Sequence, residues 1–385
     1  MRPRIMETFE GLRQQNVLTV KEAKETGKKI VGMYCVFSPQ ELVVAAGAMP
    51  VTLCGTKQDP IPAAEKVLPR NLCPLIKSSY GFAITDTCPY FHFADLVIAE
   101  TTCDGKKKMY ELMQRIKPMH VLSLPQGGGE NELKWWRNEL NRLKERLEEE
   151  FAVSITEEKI RAAIALVNEE RRVMKELHAL NRLRPAPLSG RDLLLALWMK
   201  GFNVNKEDGI ALIRQLIAEV KEIIASKQSP FQPDTPRILI TGCPIGIGSE
   251  KVIQIVEDSG GAVVGLENCS GYRSLHTLVD EDPDKDPLLA LAEKYLQTPC
   301  SCLSPNPGRL ELLTELIRDY AVDGVIDLTW QACHTFNIES FLVREHVKDK
   351  LGIPFLQIET DYSTADIQSL KLRISAFLEM IKSSS

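Results

Sequence analysis

The stretch ADLVIAETTCDGKKKMY, Ala94 to Tyr110, constrains the chain more than any other. The apolar run Leu96 to Ala99 reads as a buried strand that stops at a polar turn. Cys103 and Asp104 sit on that turn, and a helix is expected to begin near Lys106. DGVIDLTWQACHTFNIES, Asp323 to Ser340, repeats the plan: the strand Val325 to Leu328 runs into Cys333, and another helix follows. Open α/β sheets bind ligands outside the carboxyl ends of their strands. Two halves that each place a thiol at that edge therefore predict one thiolate-bound cofactor shared between them.

The rest of the chain agrees with such a plan. Ile30 to Met33, Pro50 to Leu53 and His120 to Leu124 read as strands, and Gln40 to Ala46 and Pro74 onward as helices. Ser38, ahead of Pro39, is expected to cap the first of these helices. Met1 to about Gly27 reads as helix capping this first unit. From about Asn131 to Lys227 the chain becomes almost continuous helix, broken at LRPAPLSG, Leu183 to Gly190. Trp135, Trp136 and Trp198 are expected in the core or at a subunit interface. QSPFQPDTP, Gln228 to Pro236, is a linker, and strands resume at Arg237, Ala262, Val325 and Phe355. The expected fold is α/β: two doubly wound parallel-sheet domains of similar topology joined by a helical segment. The boundaries fall at residues 1–130, 131–230 and 231–385, and 385 residues suit roughly two to three domains.

A net charge of −5 gives no reason to expect nucleic acid, and the basic clusters Lys106 to Lys108 and Arg171 to Arg172 are read as solvated helix faces. No apolar run approaches the ~20 residues that span a bilayer. The amphipathic, acid-containing N-terminus does not read as a secretory signal, so the expected compartment is the cytoplasm. Cytosolic thiols stay reduced, which makes the ten cysteines a poor disulfide framework. There is no CxxC pair and no zinc-finger spacing. Instead Cys35, Cys73, Cys103, Cys243, Cys302 and Cys333 fall where a strand ends or a helix begins, positions that favour the thiolate.

Thiolates are the usual ligands of iron–sulfur clusters. Two halves with three cysteines each could serve one cubane or two, and the arithmetic leaves both open. Cys54, Cys88, Cys269 and Cys300 are assigned to the core or to positions behind the ligands. GCPIGIG, Gly242 to Gly248, lacks the spacing of a phosphate loop and is read as a tight turn presenting Cys243. His334 is a candidate proton donor beside Cys333, and Glu359, with Asp361, ends a strand at the same edge. A helix-capping role suits Asp361 to Ser363 equally well. Lys77 and Lys106 are expected on the solvated surface, with an influence on the cofactor's potential as the less favoured role.

YCVFSPQELVVAAGAMPV, LCPLIKSSYGF, TTCDGKKKMYELM, QACHTFNIES and GIPFLQIETDYS together resemble the 2-hydroxyacyl-CoA dehydratase family of iron–sulfur proteins. The resemblance covers both α/β units and is weak in the helical middle. It implies a cubane held by Cys73, Cys103 and Cys333, and a separate ATPase with its own cluster as electron donor. The additional Cys35, Cys243 and Cys302 make the chain more similar to the double-cubane cluster branch. That branch implies a homodimer with an 8Fe-9S cluster, handled anaerobically, that reduces small molecules with ATP-driven electrons. Cys88 is the substitute ligand, though it lies between a helix and the next strand and is expected at the wrong sheet edge. Two other readings stand beside this one: a 2-hydroxyacyl-CoA dehydratase subunit with a single 4Fe-4S cluster, and a non-enzymatic electron carrier.

Overall fold

A computed structural model of the chain describes residues 2–202 and 205–384. Met1, Asn203, Val204 and Ser385, which the sequence reading also covered, lie outside the described residues. The first sheet contains β1 (Ile30–Tyr34), β2 (Met49–Leu53), β3 (Leu96–Glu100) and β4 (Met119–Leu122), all parallel, in the order β2-β1-β3-β4. The second repeats that order with β5 (Arg237–Gly242), β6 (Ala262–Glu267), β7 (Gly324–Trp330) and β8 (Phe355–Thr360), as β6-β5-β7-β8. β1, β3, β5, β6 and β7 are buried along their whole length. That is why they read as unbroken apolar runs rather than alternating ones.

In each sheet the strand order reverses direction between the first and third strands, β1/β3 and β5/β7. Connections leave these neighbours toward opposite sides, and a crevice opens at their carboxyl ends. Cys35 follows β1, Cys103 follows β3, Cys243 follows β5 and Cys333 follows β7. The duplicated layout expected from the sequence is thus the layout of the sheets.

The helices are α1 (Met6–Glu25), α2 (Gln40–Ala45), α3 (Ile61–Ala64), α4 (Pro74–Thr85), α5 (Pro89–Phe93) and α6 (Asp104–Met113) around the first sheet. Next come α7 (Glu130–Phe151), α8 (Glu157–Ala179), α9 (Gly190–Met199) and α10 (Lys206–Ala225) between the sheets. The second sheet carries α11 (Lys251–Asp258), α12 (Pro287–Leu296), α13 (Pro307–Asp319), α14 (His334–Arg344) and α15 (Ile367–Ser384). One hydrophobic cluster runs from Met6 and Phe9 through Trp136, Leu143 and Leu197 to Ile374 and Leu378, so helices and sheets share a core. α1 joins the first sheet through the Lys24–Asp95 ion pair, but its Arg2 end reaches Asp192 at 2.6 Å beside α9.

Ser38 does not cap α2. Pro39 occupies the cap position, and the Ser38 hydroxyl bonds inward to the Tyr34 carbonyl at 3.2 Å and to the buried Glu100 carboxyl. Asp361 accepts from Ser363 N at 2.8 Å in a local turn, but α15 begins only at Ile367, so the expected helix cap is not formed there.

Gly242 shows why a glycine is required after β5. Its φ is 110°, and an added Cβ would lie 2.1 Å from the Leu328 carbonyl oxygen. The turn lets Cys243 N donate to that same oxygen at 2.8 Å, pinning the thiol to the β5/β7 crevice. A Gly242→Ala variant is expected to lose roughly 2 kcal/mol or more of stability, read as a lower denaturant midpoint.

His178 of α8 is fully buried against the second sheet. Its Nε2 accepts from Leu266 N at 3.4 Å, which leaves the ring proton on Nδ1 to donate to the Tyr320 hydroxyl. Burial, reinforced by Arg182, lowers its pKa from 6.5 to about 3. The unfolded chain therefore takes up a proton below pH 6.5 that the folded chain refuses, and stability is lost as the pH falls. The contribution of this one group reaches about 2 kcal/mol at pH 5. Thermal melts of wild type and His178→Phe between pH 7 and pH 5 are expected to diverge, with the flatter dependence in the variant.

Candidate functional site

A cavity of about 580 Å³ lies where the carboxyl edges of the two sheets meet. All six cysteines singled out in the sequence line it: Cys35, Cys73 and Cys103 from the first half, Cys243, Cys302 and Cys333 from the second. Cys269 and Cys300 join them. All ten cysteines are free thiols.

Three of the thiols cap helices. Cys73 is the N-cap of α4, Cys103 of α6 and Cys333 of α14. Each helix points its unpaired N–H groups and the positive end of its dipole toward the cavity, a setting that stabilises thiolate. The Cys103 sulfur accepts from Lys106 N at 3.5 Å. Cys73, Cys243 and Cys333 are in mutual hydrogen-bonding contact through Cys333. The bond to Cys333 pushes the Cys73 thiol up, and burial pushes Cys243 up. Bonds from Cys243 and Cys73 lower Cys333 below the usual thiol range.

Cys269, Cys300 and Cys302 form a second group, with 3.1 Å between the sulfurs of Cys300 and Cys302. Arg273 donates to the Cys269 sulfur at 3.5 Å. That arginine is held by Glu267 at 2.8 Å, within a fully buried set that includes Arg309 and Asp327. Cys35 follows β1 with φ 67° and faces Lys106.

Lys106 differs from its sequence reading. It is half-buried, lines the cavity, and lies among Tyr110, Cys35, Cys103 and Glu100. Burial opposes its charge, and these neighbours shift it back upward. Its neighbours Lys107 and Lys108 are exposed, as expected. Lys77 is buried, bonded to Glu65 at 2.8 Å and turned away from the cavity. Arg171 is also buried, whereas Arg172 is exposed.

His334 is exposed at the cavity wall. Glu359 is exposed and does not line the cavity: β8 side chains alternate, and the buried face carries Ile358 and Thr360. Cys88 caps the short α5 ahead of β3, away from the cavity. Cys269 and Cys300, assigned to the core or to positions behind the ligands, both line the cavity, Cys300 while also belonging to the buried core. The strand-end rule applied to β6 as it was to β1 would have found Cys269, two residues past Glu267. Nothing in the sequence marks Cys300 beyond its spacing from Cys302.

Residues 35–381 match the family model described as 2-hydroxyglutaryl-CoA dehydratase, D-component. The chain belongs to that family. Within it, the chain is 48% identical over 381 residues to an Escherichia coli K12 protein provisionally named dehydratase subunit YjiM, covering 98% of each chain. It is 26% identical to the (R)-phenyllactyl-CoA dehydratase beta subunit of Clostridium sporogenes, covering 94% of each. It is 22% identical to a subunit of benzoyl-CoA reductase from Thauera aromatica, covering 94% of this chain and 93% of that one.

In this member of the D-component family a second, smaller cavity of about 160 Å³ adjoins the first. Cys35, Leu75, Lys106, Pro244 and Cys269 line both. Its far wall is basic. Lys206 is paired with Glu170 at 3.0 Å, and Arg171 with Glu41 at 2.7 Å. Tyr295 donates to the same Glu41 at 2.7 Å. Burial resists ionisation of Glu41, but Arg171, Lys294 and the Tyr295 hydroxyl outweigh it and keep the carboxyl below its ordinary range. The Arg171–Glu41 pair ties α8 to α2, both residues being almost fully buried. Arg171→Met would strand the Glu41 charge, and a loss of about 3 kcal/mol or more is expected in chemical denaturation.

Proposed function

We propose that the chain is an iron–sulfur reductase. In this reading it holds a low-potential cluster between its two sheets, receives single electrons from a separate ATP-hydrolysing iron–sulfur protein, and reduces a small molecule. The observation that carries it is the presence of eight thiols on the wall of one cavity at two strand-order switch points. A single cubane takes at most four cysteines, so eight exceed its needs and suit the larger 8Fe-9S double cubane. When bound, such a cluster supplies one-electron transfer at low potential.

The donor set suits that cofactor in three ways. Thiolates are soft ligands that select iron–sulfur groups over hard cations. Among the described residues no group of three or more His, Cys, Asp or Glu converges to hold a single metal ion. Thiols spread around a wall suit a body with several metal atoms. The Ser301 hydroxyl is buried at the same wall with no hydrogen-bond partner among the described residues.

The protein's own groups then have distinct tasks. The proposed ligands are Cys35, Cys73, Cys103, Cys243, Cys302 and Cys333, with Cys269 and Cys300 added by their position. Lys106, Arg273 and three helix N-termini offset negative charge. His334 would deliver protons from the exposed side. Glu359 loses that role, being off the cavity. Glu100, whose carboxyl burial pushes up to about 8, holds a proton beside Ser38. α14 leaves Ile338, Phe341 and Leu342 exposed next to the thiols, which supports a protein partner, in a homodimer or with the electron donor. Division of the chain at residues 130 and 230, and a cytoplasmic setting that keeps ten thiols reduced, belong to the same reading. Among the described residues no helix is long and apolar enough to cross a membrane.

The names of the relatives favour a second reading, a 2-hydroxyacyl-CoA dehydratase subunit with one 4Fe-4S cluster. Iron and sulfide determination on anaerobically purified protein separates the two: about eight irons per chain for the reductase, about four for the dehydratase. A colourless, folded, iron-free chain would sink both. Cys333→Ser is expected to lose most of the iron, and Cys88→Ser to retain it.

A further inference from the structure

The smaller cavity combines three kinds of lining. Cys35 and Cys269 belong to the wall it shares with the larger cavity, and Lys200 and Lys294 line it without lining the larger one. Met33, Val51, Leu53, Leu197 and Leu275 make the rest of the lining partly apolar. Five basic side chains line this space against the single carboxylate of Glu170. Glu41 and Glu170 are already committed to Arg171 and Lys206. Lys294 is 5% exposed, and among the described residues it has neither a hydrogen bond nor an ion pair, its ammonium resting 4.0 Å from the Tyr295 ring centre. Lys200 has only the neutral Ser274 hydroxyl as partner. Burial lowers both amines, Lys200 to about 8, and the neighbouring cation Arg171 adds to the effect.

A buried amine with no ion pair, such as Lys294, is expensive, and an anion shared with the half-buried Lys200 would offset that cost. We propose that this chamber binds a short-chain free carboxylate, its head on Lys200 and Lys294 and its short tail against the apolar lining. About 160 Å³ holds roughly five water-sized groups, the scale of propionate or butyrate. Drug-sized ligands need about 300–1,000 Å³, so a coenzyme A thioester does not fit. The carboxylate's role as substrate rests on the reductase reading, but its binding does not.

Calorimetric titration of the anaerobically prepared protein with propionate, butyrate, propionamide and butyryl-CoA tests this. Propionate and butyrate are expected to bind at least about tenfold more tightly than the isosteric amide, and butyryl-CoA not to displace them. Lys294→Met should weaken the carboxylates about tenfold, while Lys294→Arg keeps them within about threefold. Equal binding of acid and amide, no binding of either acid, or displacement by the thioester would overturn the proposal. The acid–amide comparison uses wild-type protein, so it decides even if Lys294→Met does not fold. The iron content of the same sample is read separately: iron without carboxylate binding rejects the chamber alone, and binding without iron rejects the reductase alone.

Discussion

The structure depends on one electrostatic arrangement: thiols placed at the positive ends of helices where a parallel sheet reverses its strand order. Cys73, Cys103 and Cys333 each occupy a helix N-cap. A cysteine there lacks the oxygen that ordinarily satisfies the first N–H groups. Cys103 accepts one at 3.5 Å, and backbone N–H groups of the first turns also act on the sulfurs of Cys73 and Cys333. Sulfur is a weak acceptor, so these caps are poorer than the usual oxygen caps. A helix end carries about half a positive charge, and three such ends face one cavity.

A second layer of charge holds these elements in place. Glu267, Arg273, Arg309 and Asp327 are fully buried beneath the second sheet's crevice. Arg309 also bonds Glu339 of α14, and Arg273 contacts the Cys269 sulfur. Arg273 and Arg309 both stack on Phe336, 5.2 Å from the ring centre to each guanidinium. A buried network of this kind seldom adds net stability over an apolar core. It does fix α14, whose first turn follows Cys333, relative to β6 and β7. Rigidity of α14 at the cavity wall is the gain that offsets the desolvation of four charges.

The sheets were legible because their strands are buried on both faces. Continuous apolar runs such as Val325 to Leu328 leave few other states open, and their ends shifted by only one or two residues. The thiol edge was legible for the same reason, since strand ends fix Cys35, Cys103, Cys243 and Cys333. Side chains on helices were harder to place. Lys106, Lys107 and Lys108 are indistinguishable in sequence, yet only the first is half-buried; Lys107 reaches the cavity from an exposed position, and helical rotation of ~100° per residue separates the three. Arg171 and Arg172 divide in the same way, one buried against Glu41 and the other in solvent. Glu359 failed for the opposite reason: at a strand end, a shift of one residue changes the face.

The balance of charge explains why the amines and the thiols belong together. Lys106 lies where the two cavities meet, with Cys35 and Cys103 as electrostatic neighbours. Arg273 stands behind Cys269. Added to three helix ends, these cations leave the larger cavity electropositive unless its thiols ionise. Ionised thiols packed this closely repel one another unless metal ions sit among them. The cavity's cations and its sulfurs would balance around an electron-rich inorganic body, as the proposed function requires. Lys200 and Lys294 line the smaller chamber, and Lys294 has no ion pair among the described residues. The proposed anion in that chamber would supply the counter-charge that the paired Glu41 and Glu170 do not.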